Sequence, residues 1–230
     1  MAQQVKSKQR VADHGEVFTN EREVNAMLDM VKQETERIDS RFLEPACGDG
    51  NFLAEILRRK LAVVKSRYSK SLLEYEKYAF VAVASIYGVE LLQDNTEACR
   101  ERLYGIFEKE YLPICKKKPN EKYLAAIKFV LQRNILCGDA LTMLQDDGEP
   151  IVFSEWSLVM GDKVKRRDFR LDEMLEGNVN KGETMSLFGA SGAPTSEWEY
   201  DEETNSYIPC PIYEYALVSL YEVSNNVEPI

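Results

Sequence analysis

The sequence predicts an α/β protein built on a mostly parallel, doubly wound sheet. Short apolar segments of strand type alternate with amphipathic segments of helical period over roughly 120 residues. The first three of these apolar segments also carry an acidic residue where they end. Such ends meet at one edge of a parallel sheet, because parallel strands run in the same direction.

The predicted elements begin with a helix whose N-cap is Thr19 or Asn20. Four strands follow, at "RFLEP", "VAVASIYGVEL", "RNILCGDAL" and "EPIVFSEWSLV". The helices between them are "NFLAEILRRKLAVVKSRY", "SKSLLEYEKYAF", "LLQDNTEACRERLYGIFEKEYL" and "NEKYLAAIKFVLQ". We expect the third of these helices to end at Pro113 and the polar residues 1–15 to be frayed.

Beyond Gly161 the alternation stops. "KVKRRDFRLDEMLEG" predicts a strand and then a helix, and residues 178–205 are rich in loop-forming residues. "SYIPCPIYEYALVSLYEV" has β character interrupted by two prolines. We therefore predict a domain over residues 1–160 and a small, irregular, β-containing extension over residues 161–230.

Charge follows the same division. The net charge is −10, and residues 171–230 hold twelve acidic residues and one lysine, which leaves residues 1–170 at +1. An acidic extension is unsuited to clamp DNA, because phosphate affinity comes largely from Lys and Arg. It favours a surface for a protein partner or a mimic of the charge of DNA. The basic run at residues 163–167 is either a phosphate contact or a solvated face, and we favour the solvated face.

Several classes of protein are disfavoured. No apolar run approaches the roughly 18 residues of a membrane span, and the first residues lack the apolar segment of a signal peptide, so we expect a cytoplasmic protein without membrane contact. His14 is the only histidine, and we expect it to be solvated. We predict no metal site and no disulfide framework, because the cysteines are odd in number and never in a CxxC pair: Cys47, Cys99, Cys115, Cys137 and Cys210.

Three acidic residues lie at predicted strand ends. Glu44 precedes the turn "CGDG", Glu90 ends the second strand, and Asp139 ends the third. Glycines let a ligand approach main-chain N–H groups, and carboxylates accept hydrogen bonds from amines and hydroxyls. A ligand with an amino group, a ribose diol and an exocyclic amine suits all three acids. A pyrophosphate does not, since the acids repel it and the spacing is not GxGxxG.

Four segments resemble, in order, the cofactor-binding motifs of S-adenosylmethionine-dependent DNA adenine-N6 methyltransferases, particularly modification subunits of restriction–modification systems. They are "VFTNEREVNAML", "FLEPACGDGNFL", "IYGVELLQDNTEACRERL" and "NILCGDAL". The resemblance covers about residues 11–142 and is most specific in "EPACGDGNFL". It implies a Rossmann-like methyltransferase fold, S-adenosylmethionine as cofactor and DNA as partner.

The resemblance also implies roles for individual residues. Phe18 and Thr19 would touch the cofactor, with Asn20 where the family usually has proline. Glu44 would face the methionine amino group. The turn under the methionine would be formed by Ala46, Cys47, Gly48 and Gly50.

On the nucleoside side, Glu90 would bind the ribose hydroxyls and Leu91 would pack on adenine. Asp139, followed by Ala140, would take the adenine amine. The interval from Gly50 to Glu90 is about twice a usual first crossover, which predicts an inserted helix over residues 62–80. Cys47 at a helix N-terminus is interpreted as a small turn residue rather than a reactive thiol.

The catalytic motif of the family, Asn or Asp followed by Pro-Pro and an aromatic, is missing from the sequence. The candidates for a catalytic role after the fourth strand are Ser154, Glu155 and Trp156, although an inward Trp is more often part of a core. The functional hypothesis is a S-adenosylmethionine-binding, DNA adenine-N6 methyltransferase-like protein of a restriction–modification or phage-defence system with a substituted catalytic loop. The alternatives are a non-catalytic cofactor-binding or scaffold subunit that acts through a partner, and a methyltransferase acting on another substrate.

Overall fold

The computed structural model describes residues 6–116, 118–179, 198–201 and 206–230. Its architecture is α/β, with a three-stranded parallel sheet between a layer of helices and a second, antiparallel sheet. The helices are α1 Lys8–His14, α2 Glu21–Asp29, α3 Lys32–Thr35, α4 Asn51–Tyr68, α5 Leu72–Ala84, α6 Gln93–Cys115, α7 Glu121–Asn134 and α8 Leu171–Val179, with a 3-10 helix at Val223–Asn225. No helix in the described ranges is long and apolar enough to cross a membrane.

The parallel sheet has the order β1–β2–β3. Its strands are β1 Phe42–Glu44, β2 Ile86–Glu90 and β3 Ile135–Cys137. Phe42 is opposite Ile86, and Gly88 is opposite Ile135, with both pairings parallel. Three of the four predicted parallel strands are thereby confirmed, and their carboxyl ends lie at one edge.

The two faces of β2 enter different cores because side chains alternate along a strand. Ile86 packs in the large cluster formed by α4 to α7, and Tyr87 and Val89 pack in a smaller cluster on the other face. Gly88 faces the helices, where a Cβ atom would lie 2.9 Å from Leu53 Cδ1. The missing side chain therefore lets the start of α4 lie close to the sheet.

The prediction of a fourth parallel strand is wrong. β4 Val152–Leu158 pairs antiparallel with β5 Lys163–Arg170 in a separate sheet, which β8 Tyr213–Glu214 and β9 Val218–Ser219 complete. Ile151, just before β4, donates its backbone N–H to Met143 near the carboxyl edge of the parallel sheet. Trp156, further along β4, bonds to Asn134 at the opposite edge. β4 therefore runs against β1 to β3, and it makes its ladder hydrogen bonds with β5, the hairpin partner that follows it.

Three helix boundaries also differ from the predictions. Residues 81–84 belong to α5 rather than to a strand, because a helix that is apolar on all sides has the same short-range pattern as a buried strand. α6 continues past Pro113 to Cys115, with the proline in its last turn. Residues 8–14 form α1 instead of a frayed leader. The predicted inserted helix corresponds to the end of α4 together with α5.

The predicted division at residue 160 falls in the turn between β4 and β5, so both predicted parts contribute to one sheet. The predicted strand and helix after Gly161 are confirmed as β5 and α8, and the interrupted β structure as β7 Ser206–Pro209, β8 and β9. β7 pairs with β6 Trp198–Asp201. The predicted loop at 178–205 lies mostly outside the described residues. Tyr221 anchors the C-terminal segment by donating its hydroxyl to buried Glu76 at 2.6 Å.

Candidate functional site

The glycine turn after β1 forms the floor of the candidate site. Cys47 donates its backbone N–H to the carbonyl of Val89 at 3.0 Å, which fixes the turn to the end of β2. Gly48 and Gly50 adopt positive φ angles of 55° and 86°. Gly50 is also the N-cap of α4. The backbone thus reverses sharply between strand and helix in a conformation that glycine adopts without strain.

The turn lies in a confined space. A Cβ atom on Gly50 would lie 2.6 Å from Cys99 Sγ, and one on Gly48 would lie 3.0 Å from the ring of Phe18. The Phe18 ring therefore packs against the turn at Gly48, and Cys99 of α6 packs against the turn at Gly50. A side chain at Gly50 would meet both a clash and an unfavourable φ, and one at Gly48 would meet an unfavourable φ and a tight contact with the Phe18 ring.

Glu90 at the end of β2 is tied to this turn. Its Oε2 accepts the backbone N–H of Gly48 at 2.8 Å. Its Oε1 accepts the backbone N–H of Leu92 at 3.2 Å and the side-chain amide of Asn95 at 3.1 Å. Glu90 is 8% exposed, so its charge is stabilised by these donors rather than by bulk water. The carboxylate is oriented before any ligand arrives.

Glu44 at the end of β1 differs from Glu90 because its carboxyl group is incompletely satisfied. Its Oε2 is buried and has no hydrogen-bond partner. Burial, and then repulsion from Glu90 and Asp49, raise the pKa of Glu44 to about 8. An ammonium group beside this oxygen would supply both the missing hydrogen bond and the compensating charge. A buried acceptor without a donor is uncommon in folded proteins and is a candidate for contact with a ligand, an ion or a water molecule.

The segment before α2 reaches the glycine turn and the start of α4. Thr19 accepts a hydrogen bond on its backbone oxygen from the Asn51 side chain at 3.0 Å, which ties it to the start of α4. Asn20 caps α2, because its Oδ1 accepts the backbone N–H of Glu23 at 3.0 Å. An N-cap accounts physically for an asparagine where the family usually has proline.

The end of β3 completes the edge. Gly138 donates its N–H to the carbonyl of Glu90 at 2.9 Å, which brings Asp139 next to the end of β2. Asp139 accepts the backbone N–H of Leu141 at 2.8 Å and is half-buried. Ala140 packs on the smaller core cluster. Leu91 is 48% exposed and Leu141 is 92% exposed, so apolar side chains lie uncovered beside the acids.

The turn residues Ala46 and Cys47 have different surroundings. Ala46 is exposed at the edge, whereas Cys47 is buried. Contact with the Cys99 thiol, together with burial, raises the pKa of the Cys47 thiol well above its ordinary value. Cys47 therefore stays a neutral thiol, which agrees with its interpretation as a turn residue.

The structure does not place the three catalytic candidates at this edge. Trp156 donates its indole N–H to Asn134 Oδ1 at 2.9 Å, next to the start of β3. Glu155 pairs with Arg41, which precedes β1, and with Arg167. Both side chains therefore lie at the amino edge of the parallel sheet, away from Glu44 and Glu90.

Ser154 belongs to a buried polar cluster between β4 and β5. Its hydroxyl donates to Asp168 at 2.6 Å, and Arg166 donates to both side chains at 3.1 and 2.9 Å. Tyr215 also donates to Asp168, at 2.9 Å, and its ring lies 3.9 Å from the Arg166 guanidinium. Arg166 is 2% exposed, so the interpretation of residues 163–167 as a solvated face is wrong at this position.

Sequence reasoning missed the residues that surround Glu90. The Asn95 amide bridges Glu90 and Glu16, and Arg10 of α1 donates to Glu16 and to Asp94. One available signal was the position of Asn95 four residues before Cys99, on the buried stripe of α6. A polar residue in such a stripe needs buried partners.

No family model, curated protein or solved structure matches the chain. In the part of the chain that the structure describes, no group of three or more His, Cys, Asp or Glu side chains is arranged to hold a metal ion. The chemistry of the edge therefore follows from its own side chains. The edge combines a glycine turn, one satisfied carboxylate, one unsatisfied buried carboxyl and uncovered apolar surface.

Proposed function

We propose that the carboxyl edge of β1 to β3 binds S-adenosylmethionine, and that the protein is a DNA adenine-N6 methyltransferase-like protein with a Rossmann-like methyltransferase fold. The observation that carries the proposal is the buried Glu44 Oε2, which has no hydrogen-bond partner. A cationic amino group is the complement that this atom needs.

Other parts of the edge suit the rest of the cofactor. Glu90 is an oriented acceptor for a ribose hydroxyl, and the exposed Leu91 offers an apolar surface to the base. Asp139 next to Glu90 is an acceptor for the adenine amine. Glu90 and Asp139 together disfavour phosphate-bearing ligands, because acidic side chains at the edge repel phosphate groups. An uncharged or cationic nucleoside therefore fits the edge better than a dinucleotide.

When bound, the cofactor supplies a methyl group on a sulfonium sulfur for direct displacement by an acceptor nitrogen. The residues of this chain would bind and orient the cofactor. Glu44 would hold its amino group and Glu90 a ribose hydroxyl, while the backbone of Gly48 keeps the Glu90 carboxylate in place. This fixed geometry is what promotes a direct displacement.

One observation favours the alternative that the chain is a cofactor-binding subunit acting through a partner. Ser154, Glu155 and Trp156 all make buried structural contacts remote from Glu44 and Glu90. The acceptor side of a methyl transfer would then come from other residues or from a partner, which is consistent with DNA binding that depends on a second subunit. The acceptor itself, DNA adenine or another substrate, follows from the resemblance alone.

Calorimetric titration of S-adenosylmethionine tests cofactor binding. We expect binding by the wild-type protein and a loss of at least tenfold in affinity for Glu90→Ala and Asp139→Ala. Glu97→Ala is the matched control, because Glu97 is an exposed acid on α6 whose side chain accepts a hydrogen bond from Gln93 and, within the described chain, makes no contact with the edge. Undetectable binding at millimolar ligand, or equal affinities for all four proteins, would refute the proposal.

Transfer of labelled methyl groups separates an enzyme from a cofactor-binding subunit. The protein is incubated with labelled S-adenosylmethionine and separate pools of DNA, RNA and protein. A cofactor-binding subunit predicts no incorporation by the chain alone despite measurable cofactor binding. Strong incorporation into DNA would instead establish a methyltransferase that uses residues other than the missing tetrapeptide.

A further inference from the structure

The side chain of Asn95 connects the candidate ribose-binding acid to the N-terminal segment. Its Nδ2 group donates to Glu90 Oε1 at 3.1 Å and to Glu16 Oε1 at 2.7 Å. Its Oδ1 accepts a hydrogen bond from Lys6. Asn95 is 1% exposed, and both of its amide hydrogens are used. The orientation of the amide is therefore fixed from three sides.

Glu16 is in turn held by Arg10 on α1. The guanidinium donates to both Glu16 oxygens at 2.7 Å, and it also donates to Asp94 at 2.7 and 3.0 Å. Burial raises the pKa of Glu16, but hydrogen bonds from Arg10 and Asn95 outweigh it, so this pKa lies below its ordinary value. Glu16 is consequently a carboxylate at neutral pH. Arg10 thus bridges the segment before α2 and the start of α6.

A count of acceptor sites shows what this network leaves for a ligand. A carboxylate oxygen accepts about two hydrogen bonds. Glu90 Oε1 already accepts from Leu92 and from Asn95, at 3.2 and 3.1 Å. Glu90 Oε2 accepts only from Gly48 among the described residues, at 2.8 Å. One acceptor site on Oε2 is therefore available, whereas Oε1 is saturated as long as Asn95 keeps its place.

We infer that Asn95 is a positioning residue that limits Glu90 to one ribose hydroxyl, and that Arg10 and Glu16 hold Asn95 in this role from α1. The inference rests on the proposed function, since it assigns the ligand a ribose. It adds that α1 influences cofactor binding through Arg10, although Arg10 itself does not touch the cofactor. It also predicts that the two ribose hydroxyls contribute unequally to affinity.

The test uses S-adenosylhomocysteine and its 2′-deoxy and 3′-deoxy analogues in calorimetric titrations of the full chain. For the wild type we expect one analogue to bind within about threefold of the parent and the other to lose about tenfold, the value of one hydrogen bond to a charged group. For Asn95→Ala we expect both analogues to lose affinity relative to the parent, because Oε1 becomes free for the second hydroxyl. These are ratios within a single variant, so a change in stability does not produce them.

Arg10→Gln tests the part played by α1. We expect the two deoxy analogues to bind Arg10→Gln in ratios to the parent that approach those of Asn95→Ala, with partial recovery in Arg10→Lys, because Arg10 acts only by holding Glu16 and Asn95 in place. Lys8→Gln is the matched control on the same helix, because it makes the same change of charge at an exposed position with no ion pair among the described residues. Thermal melting of each variant without ligand shows whether it is folded.

The outcomes separate the two proposals. If the wild type binds but its analogues lose affinity equally, or if Asn95→Ala keeps the wild-type ratios, the inference is overturned and the proposed function stands. The same holds if Arg10→Gln keeps the analogue ratios of Lys8→Gln. If the wild type does not bind S-adenosylhomocysteine at millimolar concentration, the proposed function fails and the inference fails with it.

Discussion

The backbone N–H of Gly48 donates to Oε2 of Glu90 at 2.8 Å, which joins the glycine turn after β1 to the carboxylate at the end of β2. Asn95 and Leu92 donate to the other oxygen. Replacing Glu90 by Ala leaves three N–H groups without their acceptor, and we expect the free energy of unfolding to fall by about 2 to 4 kcal/mol. Urea denaturation measures this loss. Glu97→Ala should change the free energy of unfolding by less than about 0.5 kcal/mol. An equal effect of Glu90→Ala and Glu97→Ala would contradict the role of Glu90.

Replacing Gly50 or Gly105 by alanine should change the stability of the protein in opposite directions. Gly50 has a φ angle of 86°, and an added Cβ atom would lie 2.6 Å from Cys99 Sγ, so we expect Gly50→Ala to destabilise the protein by about 2 kcal/mol or more. Gly105 lies inside α6 with nothing within 4 Å of an added Cβ atom, so we expect Gly105→Ala to stabilise by up to about 1 kcal/mol. Thermal unfolding of the two variants gives the signs. A stabilising Gly50→Ala would show that the turn is not as tight as described.

Glu44 should make stability depend on pH. Its pKa is raised from 4.5 to about 8, first by burial and then by Glu90 and Asp49, so the folded protein binds the proton more tightly than the unfolded chain. The contribution of Glu44 to the free energy of unfolding is fully present below pH 4.5, falls as the pH rises towards 8, and is lost above pH 8. This contribution is at most about 5 kcal/mol.

The measurement is the difference in unfolding free energy between the wild type and Glu44→Gln across this pH range. The difference cancels groups common to both proteins, such as buried Lys60, whose pKa burial lowers to about 7 and whose contribution has the opposite sign. We expect Glu44→Gln to gain stability relative to the wild type as pH rises from 4.5 to 8. A difference that is constant with pH would contradict the assignment of a raised pKa to Glu44.

The buried polar cluster around Arg166 on β5 predicts that substitutions at Lys165 and Arg166 change the unfolding free energy by different amounts. Arg166→Leu leaves Asp168 buried without its cation, and we expect a loss of about 3 to 5 kcal/mol in unfolding free energy. Lys165→Leu removes an equal charge from a side chain that is 37% exposed and should change it by about 1 kcal/mol or less. Denaturant unfolding compares the two. Similar small losses would mean that Arg166 lies in solvent after all.

Much of the fold could be predicted because the relevant signals are local. The acid and glycine at each strand end identified β1, β2 and β3, and the apolar period identified α4, α6 and α7. The direction of β4 could not be predicted in this way. An apolar strand of seven residues has no direction in its pattern, and its partner β5 contains the basic run with Arg166, which looked like surface.

The candidate site, like the fold, could be predicted only in part. Glu44, Glu90 and Asp139 were found because strand-end acids share one edge of a parallel sheet, but whether each acid is satisfied depends on contacts distant in sequence. Asn95 satisfies Glu90 with the help of Glu16, which lies 79 residues away along the chain. No comparable donor reaches Oε2 of Glu44 in the described chain. That difference, which carries the proposed function, is a property of the packed structure alone.

The most direct test of the central claim compares two ligands on two proteins. Binding of S-adenosylhomocysteine and of 5′-methylthioadenosine, which lacks the amino-acid part, is measured by calorimetry for the wild type and for Glu44→Gln. If Glu44 holds the amino group, Glu44→Gln should weaken S-adenosylhomocysteine binding by about tenfold or more and leave 5′-methylthioadenosine within about twofold. Equal effects on the two ligands, or no effect on either, would contradict the assignment of the Glu44 carboxyl to the amino group of the cofactor.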